Sequence, residues 1–531
     1  MAAALVTAGA LGLAGAGCSG GGSGAPQGPT ASGARQAPTA SGAGAGSAGT
    51  ARPAALDVAA ENKKPGTSAW SVRQAALGAQ DAVEGYTDLA SVAPGQSFRL
   101  YVSTTAASFT ATAFRIGYYG GADATEVWQS PKIAGVHQTA QSLDASTRTV
   151  ECDWKPSLTV QTTNWVPGEY LIKLVSAAGN ERYVPLVVHS TSTAGKIVIL
   201  AGVTTWQAYN TWGGYSLYQG KDGAYADRAY AVSFDRPYLD PDEPEGDGLF
   251  FPFDQALVSF AEQHDLPVAY ETDLELETSP RLFAGARAIV SDGHDEYYSA
   301  TMRATLQNAR DQQGTNLAFL GANAIFRHIR FGSTRLGADR LEICYKQADI
   351  DPVFASDPSD ATQDWRYAPD PRPENVLTGS LYQCNPVDAA YVVHDPQNWI
   401  FAGTGVSAGT AFPGLVGPEY DRVVDIATTP HPIEVLSHSP LTCQGSGSYQ
   451  ESSYYTVPSG AGVFDAATMR WECALGAECS SHFGTAARAF VRRATLNLLT
   501  AFAQGPAGRA HPAVDNTAAD GVPAGEGLGV D

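Results

Sequence analysis

The sequence has 531 residues, with 33 Lys+Arg against 54 Asp+Glu, a formal net charge of −21. That charge argues against nucleic acid or an anionic membrane surface as a partner, because a phosphate backbone would be repelled. With 44% hydrophobic and 10% aromatic residues, the chain can bury sizeable cores, and its length predicts two or three domains.

Residues 1–18, "MAAALVTAGALGLAGAGC", read as a signal peptide whose "LAGAGC" resembles a loose lipobox. Gly15 stands where Leu is usual, and a basic n-region is missing. The expectation is an exported, extracellular or cell-surface protein, with Cys18 as a lipid anchor and the only route to a membrane. Seven cysteines are present. Setting Cys18 aside leaves an even number, which suits disulfides in an oxidising compartment. Cys473–Cys479 and Cys344–Cys384 are the expected pairs. No CxxC spacing favours zinc. Beyond the leader no apolar run is long enough for a membrane span.

Residues 19–62 are Gly, Ser, Ala and Pro-rich and read as a flexible linker. Residues 63–190 carry short alternating runs, "SFRLYVSTT", "FTATAFRIGYY", "EYLIKLVSA" and "RYVPLVVH", separated by Gly- and Pro-containing turn signals. This predicts an immunoglobulin-like β-sandwich. From 195 the pattern changes. "KIVILAG", "LPVAYETD", "ARAIVSD" and "NLAFLGAN" read as apolar strands. "DQALVSFAEQHD", "LELETSPRLFAG" and "TMRATLQNARDQQG" read as the helices between them. Residues 195–510 are therefore expected to be α/β, a doubly wound and mostly parallel sheet with β-rich additions, closed by the amphipathic run "ARAFVRRATLNLLTAFAQG". Residues 511–531 read as a flexible tail.

In open parallel sheets ligands bind beyond the carboxyl ends of the strands. Two segments fall there. One is the long loop 203–238, which holds Tyr209, Tyr215, Tyr218, Tyr225, Tyr230 and Tyr238. The other is "GHDEYYS", 293–299. Three readings of the second segment compete. Asp295 or Ser299 could cap the following helix. Glu296 or His294 could do acid/base work. His294 and Glu296, with nearby tyrosines, could bind a metal; phenolate and carboxylate are hard donors suited to Fe(III).

Together "TWQAYNTWGGYSLY", "SFDRPY", "GHDEYYS" and "LVGPEYDR" resemble the large subunit of N,N-dimethylformamidase and its relatives, over roughly 195–505. The resemblance implies a class I glutamine-amidotransferase-like core and a mononuclear Fe(III) held by two tyrosines and a glutamate. It implies hydrolysis of the C–N bond of a small amide substrate. Carried over motif by motif, the metal ligands are Tyr209, Tyr238 and Glu296, with Tyr215 and Tyr218 as rivals for the second tyrosine. His294 and Glu419 are the expected catalytic proton-handling residues. A small partner subunit or a homo-oligomer is the expected assembly. Tyr209 and Tyr238 could instead be buried aromatics, and Glu419 could pair with Arg422 on the surface.

Two rival functions remain. "GVSAG" places Ser407 in a G-x-S-x-G pattern, but no helix-forming sequence follows it, as a nucleophile elbow requires. A non-catalytic exported lipoprotein that binds carbohydrate or polymer would also suit the acidic, aromatic-rich chain.

Overall fold

In the computed structural model, residues 56–476 and 481–517 are described and belong to one compact unit. The leader, Cys18, the linker up to residue 55 and the tail beyond 517 lie outside them, as does Cys479 and with it the expected Cys473–Cys479 pair.

The first layer is built from strands whose inward side chains are large and apolar. Val83–Thr87, Ser97–Thr104 and Leu158–Gln161 form a three-stranded antiparallel sheet. Ser108–Ile116, Gly168–Ser176 and Glu181–Val188 are central to a six-stranded one. Phe98, Leu100 and Val102 of the first sheet share a core with Phe109, Ile172, Leu174 and Val184 of the second. Arg115 from this layer is fully buried and pairs with Glu262 at 2.6 Å, on the helix Gln255–Gln263 of the following region. Trp212 Nε1 donates to Glu84 Oε2 at 2.7 Å across the same junction.

The largest sheet has seven strands in the order Val268–Thr272, Ile197–Ala201, Ala288–Ser291, Asn316–Phe319, Gly462–Asp465, Ser453–Thr456 and Ile433–Val435. The first five run parallel to their neighbours, and the last two pairings are antiparallel. Ile197–Ala201 is buried along its whole length, which accounts for its unbroken apolar sequence.

The expected class, a doubly wound α/β protein, does not describe the chain. Among the described residues 29 strands are divided among nine sheets. Of nine α-helices only Gln255–Gln263, Ala300–Gln313 and Thr485–Ala503 exceed seven residues. A doubly wound sheet needs a substantial crossover helix after nearly every strand. Here "LELETSPRLFAG" yields only Leu274–Thr278 and a 3₁₀ turn. Between residues 320 and 460 only Ile433–Val435 and Ser453–Thr456 join the large sheet, and the other strands pair in small two- and three-stranded sheets. Among the described residues the fold is predominantly β, with no closed barrel.

The expected Cys344–Cys384 bridge is also corrected. Cys384 pairs with Cys443, while Cys344 is a buried free thiol, as is Cys152. Among the described residues no helix is long and apolar enough to cross a membrane.

Candidate functional site

Strand Ala288–Ser291 ends into 292–299, and the helix Val203–Tyr209 begins at the end of the neighbouring strand. Their backbones are locked together. Gly202 N donates to Asp292 Oδ2 at 2.8 Å, and Glu296 N donates to Thr205 Oγ1 at 2.9 Å. A Cβ at Gly202 would lie 2.9 Å from that Asp292 oxygen and 3.2 Å from the His294 carbonyl, so glycine allows the close approach. Gly321 meets the same restriction, since its Cβ would fall 2.0 Å from the Gly293 carbonyl. These close approaches deliver Tyr209, the last residue of its helix, to Glu296.

Three side chains converge on one carboxylate oxygen. The Tyr209 and Tyr218 hydroxyls donate to Glu296 Oε2 at 3.2 and 2.9 Å, and His294 Nε2 lies 3.5 Å from the same atom. Tyr297 donates to the Tyr218 oxygen at 2.7 Å, and the Tyr209 and Tyr218 rings stack at 4.3 Å. The other oxygen, Oε1, accepts from Arg327 Nε at 3.1 Å, and Arg327 in turn pairs with Asp364. Lys346 Nζ lies 3.3 Å from the centre of the Tyr218 ring. Glu296 is 1% exposed, while both phenols are half-buried.

The electrostatics follow from this packing. Burial alone would raise the Glu296 carboxyl, but His294, Arg327 and Lys346 outweigh it and hold the group near 2, so it is ionised. Burial brings Lys346 down to about 7, with Arg327 adding to the fall. Burial and the Glu296 charge together hold the Tyr209 and Tyr218 phenols well above their ordinary value. His294 is raised: burial opposes its charge, but the Glu296 and Glu419 carboxylates favour it.

Glu419 belongs to the same neighbourhood, acting electrostatically on Tyr209 and His294. It is 7% exposed and does not form the surface pair with Arg422, whose carboxylate partner is Glu451. Glu419 Oε1 accepts from Asn385 Nδ2 at 2.8 Å, and the nearby Asn323 side chain also favours the ionised carboxylate. Oε2 is buried without a hydrogen-bond partner. Burial raises this carboxyl; His294 pulls it down and Glu296 adds to the rise.

The structure thus gathers Tyr209, His294, Glu296 and Glu419. Tyr238 is placed elsewhere, against Trp206 at 6.2 Å, with Asp273, Arg340 and Glu342 as electrostatic neighbours. The second phenol at Glu296 is Tyr218, one of the two rivals. Sequence reasoning missed Arg327, Lys346, Asn323 and Asn385. Asn323 sits directly after "NLAFLGA", at the carboxyl end of a parallel strand, and that position was a usable signal. The helix cap coexists with the cluster: Ser299 Oγ accepts from Met302 N at 3.1 Å. Asp295 does not cap but accepts from Ser291 and Tyr298. Ser407 lies exposed in a turn with no helix behind it.

Among the described residues no group of three His, Cys, Asp or Glu side chains is arranged to hold a metal, so a metal here would depend on the phenols. The donor set fits a hard trivalent cation. Oxygens about 3 Å apart match the edge of a coordination shell with bonds of about 2 Å, and a cation would release the phenol protons that burial otherwise retains.

A family model described as N,N-dimethylformamidase beta subunit-like, C-terminal, matches residues 110–482. No match to a curated protein was found. Among solved structures, a cycloisomaltooligosaccharide glucanotransferase of Paenibacillus sp., complexed with cycloisomaltoheptaose, shows 11% identity at a TM-score of 0.14. That match covers 39% of this chain and 19% of the other; so low a score carries no argument.

Proposed function

The chain belongs to the N,N-dimethylformamidase beta subunit-like family, and from that premise we propose that it is an amidohydrolase cleaving the C–N bond of a small, non-peptide amide. The observation that carries the reading is the convergence of Tyr209, Tyr218 and His294 on the buried Oε2 of Glu296. Folding alone does not call for two phenols and an imidazole on one carboxylate, because burying such groups is costly.

We assign Tyr209, Tyr218 and Glu296 as the residues that would hold a mononuclear Fe(III). Bound there, the ion would supply Lewis acidity toward the amide carbonyl. The remaining work belongs to the chain. Arg327 and Lys346 keep Glu296 ionised, and the Arg327 hydrogen bond fixes its orientation. Glu419 Oε2, buried and unpartnered, takes a proton from the attacking water and returns it to the departing nitrogen. His294 balances the two carboxylates and supplies an N–H beside them. The family's name is that of a subunit, and a small partner subunit is part of the proposal.

The test is metal content and colour. Full-length protein produced in iron-replete medium should carry about one iron per chain and show a visible tyrosinate-to-iron band that Tyr209→Phe abolishes. Colourless, iron-free protein would overturn the assignment.

A further inference from the structure

Strand Leu381–Cys384 runs antiparallel to Tyr420–Arg422, with Cys384 opposite Tyr420. This register sets Asn385 across from Glu419. Asn385 is exposed, yet its amide donates to Oε1 of the buried Glu419, closing that carboxylate from the solvent side and leaving Oε2 free. A two-stranded pair of three to four residues is marginal by itself. Here the strand end is fastened from outside. Cys384 is bonded to Cys443, 59 residues along the chain. Gln444, the next residue, donates through Nε2 to the Asn385 carbonyl at 3.1 Å. Val387 N donates to Pro418 O at 2.8 Å.

We infer that Asn385 is a positioning residue for Glu419, and that the Cys384–Cys443 disulfide is what holds Asn385 in place. The inference rests on the proposed role of Glu419 as the proton-transferring carboxylate. Asn385 fixes one oxygen so that the other faces the reaction. The disulfide ties the end of the short strand just before Asn385 to the hairpin formed by Ser439–Cys443 and Ser446–Gln450. Among the described residues Cys384 and Cys443 are joined, whereas Cys152 and Cys344 remain thiols. The Cys384–Cys443 crosslink lies at the segment next to the site.

The experiment is a double-mutant cycle on the full-length, iron-loaded protein, with hydrogen exchange as a second readout. Asn385→Ala should lower kcat about tenfold, the effect of losing one hydrogen bond to a charged group, with KM little changed. In a Glu419→Gln background the same change should cost less than twofold, because the two residues act as a unit. Cys384→Ser/Cys443→Ser should reproduce the loss and add nothing to Asn385→Ala. In both the Asn385→Ala and the disulfide variants, amide exchange over residues 417–423 should accelerate while 288–298 keeps wild-type protection. Equal factors in the presence and absence of the Glu419 carboxylate, or exchange at 417–423 untouched by loss of the disulfide, would overturn the inference. If Glu419→Gln alone leaves kcat intact, the role assigned to Glu419 fails; the exchange measurement still decides whether Asn385 and the disulfide position it.

Discussion

Replacing Glu296 by Gln keeps the side chain's shape and removes its charge. In the metal-free protein Glu296 is 1% exposed, and Arg327 Nε and His294 Nε2 approach it at 3.1 and 3.5 Å. These partners draw its carboxyl from an ordinary 4.5 to about 2, which corresponds to roughly 3 kcal/mol of preference for the ionised form in the folded state. For 531 residues, an unfolding entropy of about 2.1 cal/mol/K per residue sums to about 1.1 kcal/mol/K, so the change should lower Tm by about 3 °C at neutral pH. The sign of the pH dependence follows from a depressed folded value. The contribution is fully present above about pH 4.5 and is lost as pH falls through about 2. The gap between wild type and Glu296→Gln should therefore be roughly half as large at pH 3 as at pH 7. Scanning calorimetry on chelator-treated protein measures both. Coincident melting at pH 7, or a gap that widens on acidification, would refute the electrostatic account of the site.

Other outcomes follow from the same geometry. Tyr218→Phe should abolish iron binding as Tyr209→Phe does, whereas Tyr238→Phe should retain it; metal analysis of the three variants decides which phenol is the second ligand. His294 has a raised pKa in the metal-free protein, so its stabilising contribution is complete below about pH 6.5 and lost as pH rises through its higher folded value. The Tm difference between wild type and His294→Gln should shrink from pH 6 to pH 9. Arg115→Met leaves Glu262 buried beneath Tyr270 and Gly117 without its cation, and it should destabilise the protein by about 3–5 kcal/mol, read by urea denaturation. Non-reducing peptide mapping should link Cys384 to Cys443 and recover Cys152 and Cys344 as thiols that react with alkylating agents only after unfolding.

The strands were legible where burial leaves no freedom. "KIVILAG" is apolar because Ile197–Ala201 is covered on both faces, and the alternation that opens "SFRLYVSTT" matches exposed Ser97 and Arg99 beside buried Phe98 and Leu100, whereas Tyr101–Thr104 is buried on both faces. The fold class was not legible, because a strand–helix rhythm seen over 196–320 does not govern the chain beyond it. There, turns and two-stranded pairings such as Ala389–Val392 with Ala411–Val416 take over, and these have no long period to detect. At the site, Glu296 and His294 were readable from their place at the end of an apolar strand, and Tyr209 from the "AYN" motif in the long segment after the neighbouring strand, which opens as a helix where a loop was expected. Tyr218 could not be separated from Tyr238. Spacing within a long loop does not determine which phenol returns to Glu296; the Tyr297–Tyr218 hydrogen bond and the Lys346 contact do. Asn385 was invisible because its relation to Glu419 depends on strand register and a disulfide across 59 residues.

The central claim is that amide hydrolysis takes place at the Glu296 cluster. Its most direct test is amine release from a panel of small amides, N,N-dimethylformamide among them, by iron-replete full-length protein and by Glu296→Gln at equal concentration. The account predicts turnover by the wild type and at least a thousandfold loss in the variant, in keeping with roughly 4 kcal/mol of transition-state stabilisation. Amine release that is equal in the two proteins, or absent from both when iron is bound, would contradict it.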